Sequence, residues 1–172
     1  MLFALVSRIV ATNGTSLFWI SVEVQTRRSA STVELMVNGA VGELETLRED
    51  EHHWQGRASD APVLAGARLE FELSASSVNV DFAGALRLIV NDEGIRLERA
   101  SLETGETLTR YWQGNVHHLR VLCDRSSVEI FINHGEGVMS SRYFPDHPAQ
   151  VRFEGASDIT LRYWSLRSCM IE

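Results

Sequence analysis

From residue 69 to residue 168, apolar and polar side chains alternate in short runs separated by glycine, asparagine, aspartate or proline. LEFEL (69–73), SVNVDF (77–82), ALRLIV (85–90) and GIRLERA (94–100) open the series, followed by TLTRYW (107–112) and HHLRVLCD (117–124). SVEIFIN (127–133), GVMSSRYF (137–144), QVRFEG (150–155) and ITLRYWSLRS (159–168) complete it. Successive side chains of an extended chain point to opposite faces, so each run can bury one face and wet the other. Many short strands, frequent turn signals and no helical period between them predict an all-β fold. The expected architecture is a two-sheet antiparallel β-sandwich of the jelly-roll or lectin-like kind.

The punctuation agrees with this. NDEG (91–94) and NHGEG (133–137) supply asparagine, aspartate and glycine where a tight turn needs positive φ. Pro145 and Pro148 close the strand ending in RYF, because proline cannot donate to a central ladder. Around DRSS (124–127) the pattern reads as a hairpin. Leu119, Val121 and Cys123 share a face before it, and Val128, Ile130 and Ile132 share one after it. Glu129, Phe131 and Asn133 take the opposite face, while Asp124 and Ser126 are residues that such a turn selects.

The first part of the chain is less regular. VELMVNGAVGELETLRED (33–50) is the one plausible helical place, with Leu44 and Leu47 three apart among helix-favouring residues. EHHWQGRASDAPVLAGA (51–67) reads as a connector into the first sandwich strand, and LFWISVEV (17–24) as a strand with no evident partner. The expected division is an N-terminal extension with a short helical or irregular linker over 1–50, then the sandwich over 51–172. The opening MLFALVSRIVATNG has no basic leader and is interrupted at Arg8, which argues against a signal peptide or a membrane span.

Composition narrows the chemistry. A chain of 172 residues supports one good core. The net charge of −7 argues against nucleic acid or an anionic membrane as a partner. Every basic residue is arginine or histidine, and the absence of lysine excludes a P-loop lysine, a Schiff-base lysine and a lysine base. Cys123 and Cys169 lack CxxC spacing; Cys123 lies in a strand run, so a buried thiol in a reducing cytoplasm is expected.

Candidate sites have plain alternatives. Asp124 and Glu129 invite a glycosidase reading, but a retaining pair sits roughly 5–5.5 Å apart and a hairpin gives no reason for that approach. His52–His53 and His117–His118 are adjacent pairs that a strand splits between its faces, and no HExxH or Cys/His cluster marks a metal site. No serine lies in GxSxG. Trp54, Trp112, Trp164, Tyr111, Tyr143 and Tyr163 would stack on sugar rings if they lined one concave face; neighbouring Tyr-Trp pairs more often divide between core and edge.

HHLRVLCDRSSVEIFINHGEGVMSSRYFP (117–145) and the ending LRYWSLRSCMIE resemble the C-terminal β-sandwich of glycoside hydrolase family 32. RYWQGN (110–115) draws the likeness towards the bacterial sucrose-6-phosphate hydrolases of that family, whose other members include invertases and fructanases. GELETLR then looks like the short helix of the interdomain linker. The resemblance places the catalytic carboxylates on an N-terminal five-bladed propeller, and no Asn-Asp-Pro-Asn, Arg-Asp-Pro or Glu-Cys segment occurs here. It therefore implies no catalytic, cofactor-binding or metal-binding residue in this chain, and no activity when isolated. The implied role is to steady the propeller, through which sucrose 6-phosphate or sucrose would be handled, and to self-associate, for instance as a homodimer. Glu129, Phe131, Trp112, Tyr143 and Trp164 are the expected contacts to another domain, a subunit or a sugar. A truncated or shifted reading frame is one expected origin. The alternatives are a free-standing carbohydrate-binding module and a protein that docks on a separately encoded propeller.

Overall fold

The computed structural model describes residues 5–8, 21–29, 32–38, 42–101, 103–145 and 149–168, as backbone up to residue 44 and with side chains from Glu45. β1 (Leu5–Arg8), β2 (Ser21–Ser29) and β3 (Thr32–Asn38) form a three-stranded antiparallel sheet. A 3-10 segment, Gly42–Leu47, leads into β4 (Arg48–Arg57), and a second 3-10 turn, Ala58–Asp60, precedes β5 (Leu64–Ala65). Then come β6 (Leu69–Ala75), β7 (Val78–Phe82), β8 (Leu86–Asn91), β9 (Gly94–Ala100) and β10 (Thr107–Gln113). β11 (Leu119–Asp124), β12 (Ser127–Ile132), β13 (Gly137–Arg142), β14 (Gln150–Glu154) and β15 (Asp158–Leu166) follow.

Two six-stranded sheets result, ordered β10-β9-β8-β7-β14-β5 and β13-β12-β11-β6-β15-β4, with antiparallel pairing throughout. This is the predicted sandwich. Its core is built from the alternating positions: Phe71 and Leu73 of β6, Val80 and Phe82 of β7, Val121 of β11, and Ile130 and Ile132 of β12 are all buried. Phe71 meets Phe153 edge-on at 5.6 Å, and Tyr143 tilts against Phe82 at 6.1 Å. Each such ring contributes about 1.5–3 kcal/mol by leaving water.

The turns follow the sequence closely. Asn91 Oδ1 accepts hydrogen bonds from the backbone N–H of Glu93 (3.0 Å) and Gly94 (3.2 Å), and Gly94 has φ +138°. A Cβ there would strike the Trp112 carbonyl. Asp124 pairs with Ser127 across the two-residue loop of the β11–β12 hairpin. Asn133 (φ +47°) and His134 (φ +59°) adopt the left-handed conformation. The Asn133 side chain accepts from the N–H of His117 (2.8 Å) and donates to the Asn115 carbonyl (2.7 Å), fastening the preceding loop.

The N-terminal third departs from expectation. Thr32–Asn38 is a strand where a helix was the plausible reading, and Gly42–Leu47 alone is helical, as one 3-10 stretch. Val33, Leu35 and Val37 recur at period two, whereas the Leu44/Leu47 signal spans barely one turn. Residues 51–57 are not a connector. They belong to β4, which pairs along β15 with Trp54 opposite Leu161, and the expected boundary between 50 and 51 falls inside this strand. Tertiary pairing overrides the weak β-propensity of EHHWQG, and the strand's charged residues suit a sheet edge. Of LFWISVEV, residues 21–24 lie in β2, which has partners on both sides, and 17–20 lie outside the described residues. β13 ends at Arg142, short of the predicted Phe144. Cys169 and Pro148 lie outside the described residues.

Candidate functional site

A two-sheet sandwich ordinarily leaves the outer face of each sheet polar. The outer face of the β13–β4 sheet is different. Its registers stack outward side chains into rows: Ser140, Glu129, Leu122, Glu70 and Trp164 form one, and Val138, Phe131, Arg120, Glu72 and Arg162 the next. Phe131 (2%), Leu122 (4%) and Leu166 (5%) are almost without exposure and cluster with Leu47 and Val138, apart from the main core. The sequence sign was present in VLC (121–123) and IFI (130–132), where apolar residues run on without alternation because both faces are covered.

Glu70 is fully buried in this face. Its carboxylate accepts from Arg48 Nε (2.8 Å), Arg48 Nη2 (2.6 Å) and Arg120 Nε (2.6 Å), so two guanidinium groups from β4 and β11 converge on the intervening β6. The hydrogen bond to Glu70 is the largest influence holding Arg48 above the usual arginine range. Arg48 also lies 4.1 Å over the Trp164 ring, with Arg162 at 5.1 Å. Arg162 in turn donates to Glu51 (2.8 Å) and Glu72 (3.1 Å). Trp164 stands at a register shift between β15 and β4, the kind of irregularity that re-aims a side chain. Sequence reading missed this cluster, since nothing local to LEFEL distinguishes a buried Glu70 from a wetted one.

Glu129 shares a row with Glu70, about 10 Å away across Leu122 at ordinary strand spacing. Its surroundings are unlike those of Glu70. Among the described residues it makes no ion pair, and half-burial pushes its carboxyl up to about 7. Asp124 lies on the same face as its diagonal neighbour, a spacing of about 7–8 Å, wider than a retaining pair.

The expected contact residues are only partly gathered. Glu129, Phe131 and Trp164 share the outer face of the second sheet. Trp112 is half-buried on edge strand β10, packed against the core and close over Gly114 and Gly137, while neighbouring Arg110 donates to the Ser140 carbonyl at 2.9 Å. Tyr143 is a core residue. The other aromatics scatter: Trp54 packs on the core, Tyr163 stacks with His52 at 4.9 Å, and Tyr111 stands 69% exposed on β10. His118 and His134 stack at 4.2 Å, and burial, then the neighbouring His134, holds His118 below its usual range. Among the described residues no cluster of three or more His, Cys, Asp or Glu forms a metal-binding group.

Known proteins resemble this chain in sequence and in fold. The family profile described as "Glycosyl hydrolases family 32 C terminal" matches residues 11–165. The chain is 50% identical over 131 residues to the sucrose-6-phosphate hydrolase of Klebsiella pneumoniae, covering 76% of this chain and 28% of that protein. It is 47% identical over 133 residues to that of Salmonella typhimurium, again covering 76% and 28%. The chain thus spans little more than a quarter of the length of these relatives. Its fold is similar to part of the sucrose-6-phosphate hydrolase from Lactobacillus gasseri, with TM-score 0.63 at 21% identity over 86% of this chain and 34% of that one. It is similar also to part of the exo-inulinase from Aspergillus awamori, with TM-score 0.66 at 15% identity over 87% and 35%.

Proposed function

We propose a supporting role, from the premise that this chain belongs to glycosyl hydrolase family 32 and forms its C-terminal β-sandwich domain. The domain serves a sucrose-6-phosphate hydrolase or related β-fructofuranosidase of the cytoplasm. It steadies and seats the catalytic part, contributes to self-association as a homodimer, and supplies no acid, base or nucleophile of its own. Sucrose 6-phosphate or sucrose is handled by the catalytic part.

The observation that carries this reading is the outer face of the second sheet. Apolar Leu122, Phe131 and Leu166, with a fully buried ion-paired Glu70, occupy an outer face that a bare two-layer sandwich would give to water, and this chain already buries them. The cover begins in the polypeptide that precedes the sandwich, since Leu47 packs on the cluster and β3 touches β13, and the catalytic part would be seated from this side. Of the expected contacts, Glu129 alone keeps partial exposure on this face; Phe131 and Trp164 are buried within the chain, and Trp112 and Tyr143 serve the sandwich itself.

The test is thermal melting of the catalytic part of a similar sucrose-6-phosphate hydrolase, alone and with this chain added. A rise in its melting temperature is expected; an unchanged melt and no co-elution would defeat the supporting role. The carbohydrate-binding alternative loses its stacking platform because the aromatics do not share a face. A flat calorimetric trace with sucrose and fructans over millimolar concentrations is expected.

A further inference from the structure

The 3-10 segment Gly42–Leu47 lies where the polypeptide enters the sandwich, and it is held at several independent points. The Leu47 side chain joins the outer apolar cluster. Arg167 donates from Nη2 to the Thr46 carbonyl (2.6 Å) and from its backbone N–H to the Leu47 carbonyl (2.9 Å). Glu45, half-exposed, approaches Arg48 Nη2 at 3.8 Å and Arg120 Nη1 at 3.7 Å. Those are the two guanidinium groups that Glu70 grips from within the sheet. Arg48 and Arg120 therefore stand between a carboxylate of the sheet and a carboxylate of the incoming segment. Among the described residues Arg120 pairs within 4 Å with Glu70 and Glu45 alone, and its Nη2 is buried without an acceptor.

We propose that residues 42–48 form an electrostatic latch, in which Glu45 closes on the Arg48–Glu70–Arg120 clamp and fixes the path by which the preceding polypeptide reaches the sandwich. Glu70 is the permanent half, out of reach of water. Glu45 is the half that opens: its pairs are longer, exposed on one side and screened by salt. Arg48 is shared, being both the first residue of β4 and one of the two guanidinium groups that Glu45 approaches. The partner so positioned is the chain's own N-terminal polypeptide, whose β3 touches β13. What that polypeptide carries follows from the supporting role proposed above; the latch itself does not depend on it.

Hydrogen–deuterium exchange on the full chain tests this at the peptide covering 42–48. Glu45→Gln is expected to speed exchange there about threefold, the range of a solvent-accessible ion pair, while β6, β11 and β12 keep wild-type protection. Added 1 M sodium chloride should reproduce that change in the wild type and leave the variant unmoved. Arg48→Met, which leaves Glu70 paired with Arg120, should open the segment further. Wild-type exchange at 42–48 in Glu45→Gln overturns the latch, whatever Arg48→Met does. That failure would leave the supporting role standing, whereas failure to stabilise a catalytic part would leave the latch intact.

Discussion

Replacing Glu70 by glutamine removes one negative charge from a site with no exposure and keeps its shape. Three charge-assisted N–H donors from Arg48 and Arg120 then face a neutral amide whose own NH2 group repels them. Breaking a buried pair by removing one partner costs about 3–5 kcal/mol, because the surviving charge stays desolvated. Here the arginines are not sealed: their side chains are 18% and 14% exposed, and Glu72 and Glu45 stand within 3.9 Å and 3.7 Å. The low end, about 3 kcal/mol, is therefore expected. With a urea slope of about 2 kcal/mol/M, the unfolding midpoint should fall by roughly 1.5 M at unchanged slope. The triple change E70L/R48M/R120M removes all three charges together and should cost about 1 kcal/mol or less, since apolar side chains of similar size can replace a buried ion triad. Equilibrium urea unfolding followed by tryptophan fluorescence measures both. A loss below about 0.5 kcal/mol in Glu70→Gln, or a triple variant worse than the single, would refute the reasoning.

Other consequences follow from single residues. Glu129 has a folded pKa above its unfolded value, so the fold binds its proton more tightly and loses that stability as pH rises from 4.5 through about 7. Glu129→Gln should accordingly be more stable than wild type at pH 8, by about 1 kcal/mol once solvent screening is discounted, and indistinguishable near pH 4 in thermal melts. His118 is shifted the other way: its folded pKa is depressed, so protonating the unfolded chain drains stability as pH falls below 6.5. His118→Gln should flatten the loss of melting temperature between pH 6.5 and 5. Gly94→Ala places a Cβ against the Trp112 carbonyl at φ +138° and should cost at least about 2 kcal/mol in urea titration. Cys123 is buried, and burial raises its thiol pKa, so it should resist a thiol reagent in the native chain and react on unfolding.

The sandwich was legible because its strands bury one face in alternation, and turns such as NDEG and NHGEG are stereochemical requirements of the backbone. The outer face of the second sheet was half-legible. Leu122 and Phe131 break the alternation and so report a covered face, yet nothing in the sequence says which Glu is sealed beneath it. Glu70 and Glu129 occupy equivalent places in their strands; partners from β4 and β11, 22 and 50 residues away, decide that one is paired and the other is not. β4 was missed for the same reason, since its strand character comes from its pairing with β15.

The most direct check on the central claim is hydrolysis of sucrose 6-phosphate by the homogeneous 172-residue chain, followed as released reducing sugar at high protein concentration. The account predicts release equal to buffer at every substrate concentration. Release that saturates with substrate and scales with the amount of chain would contradict it.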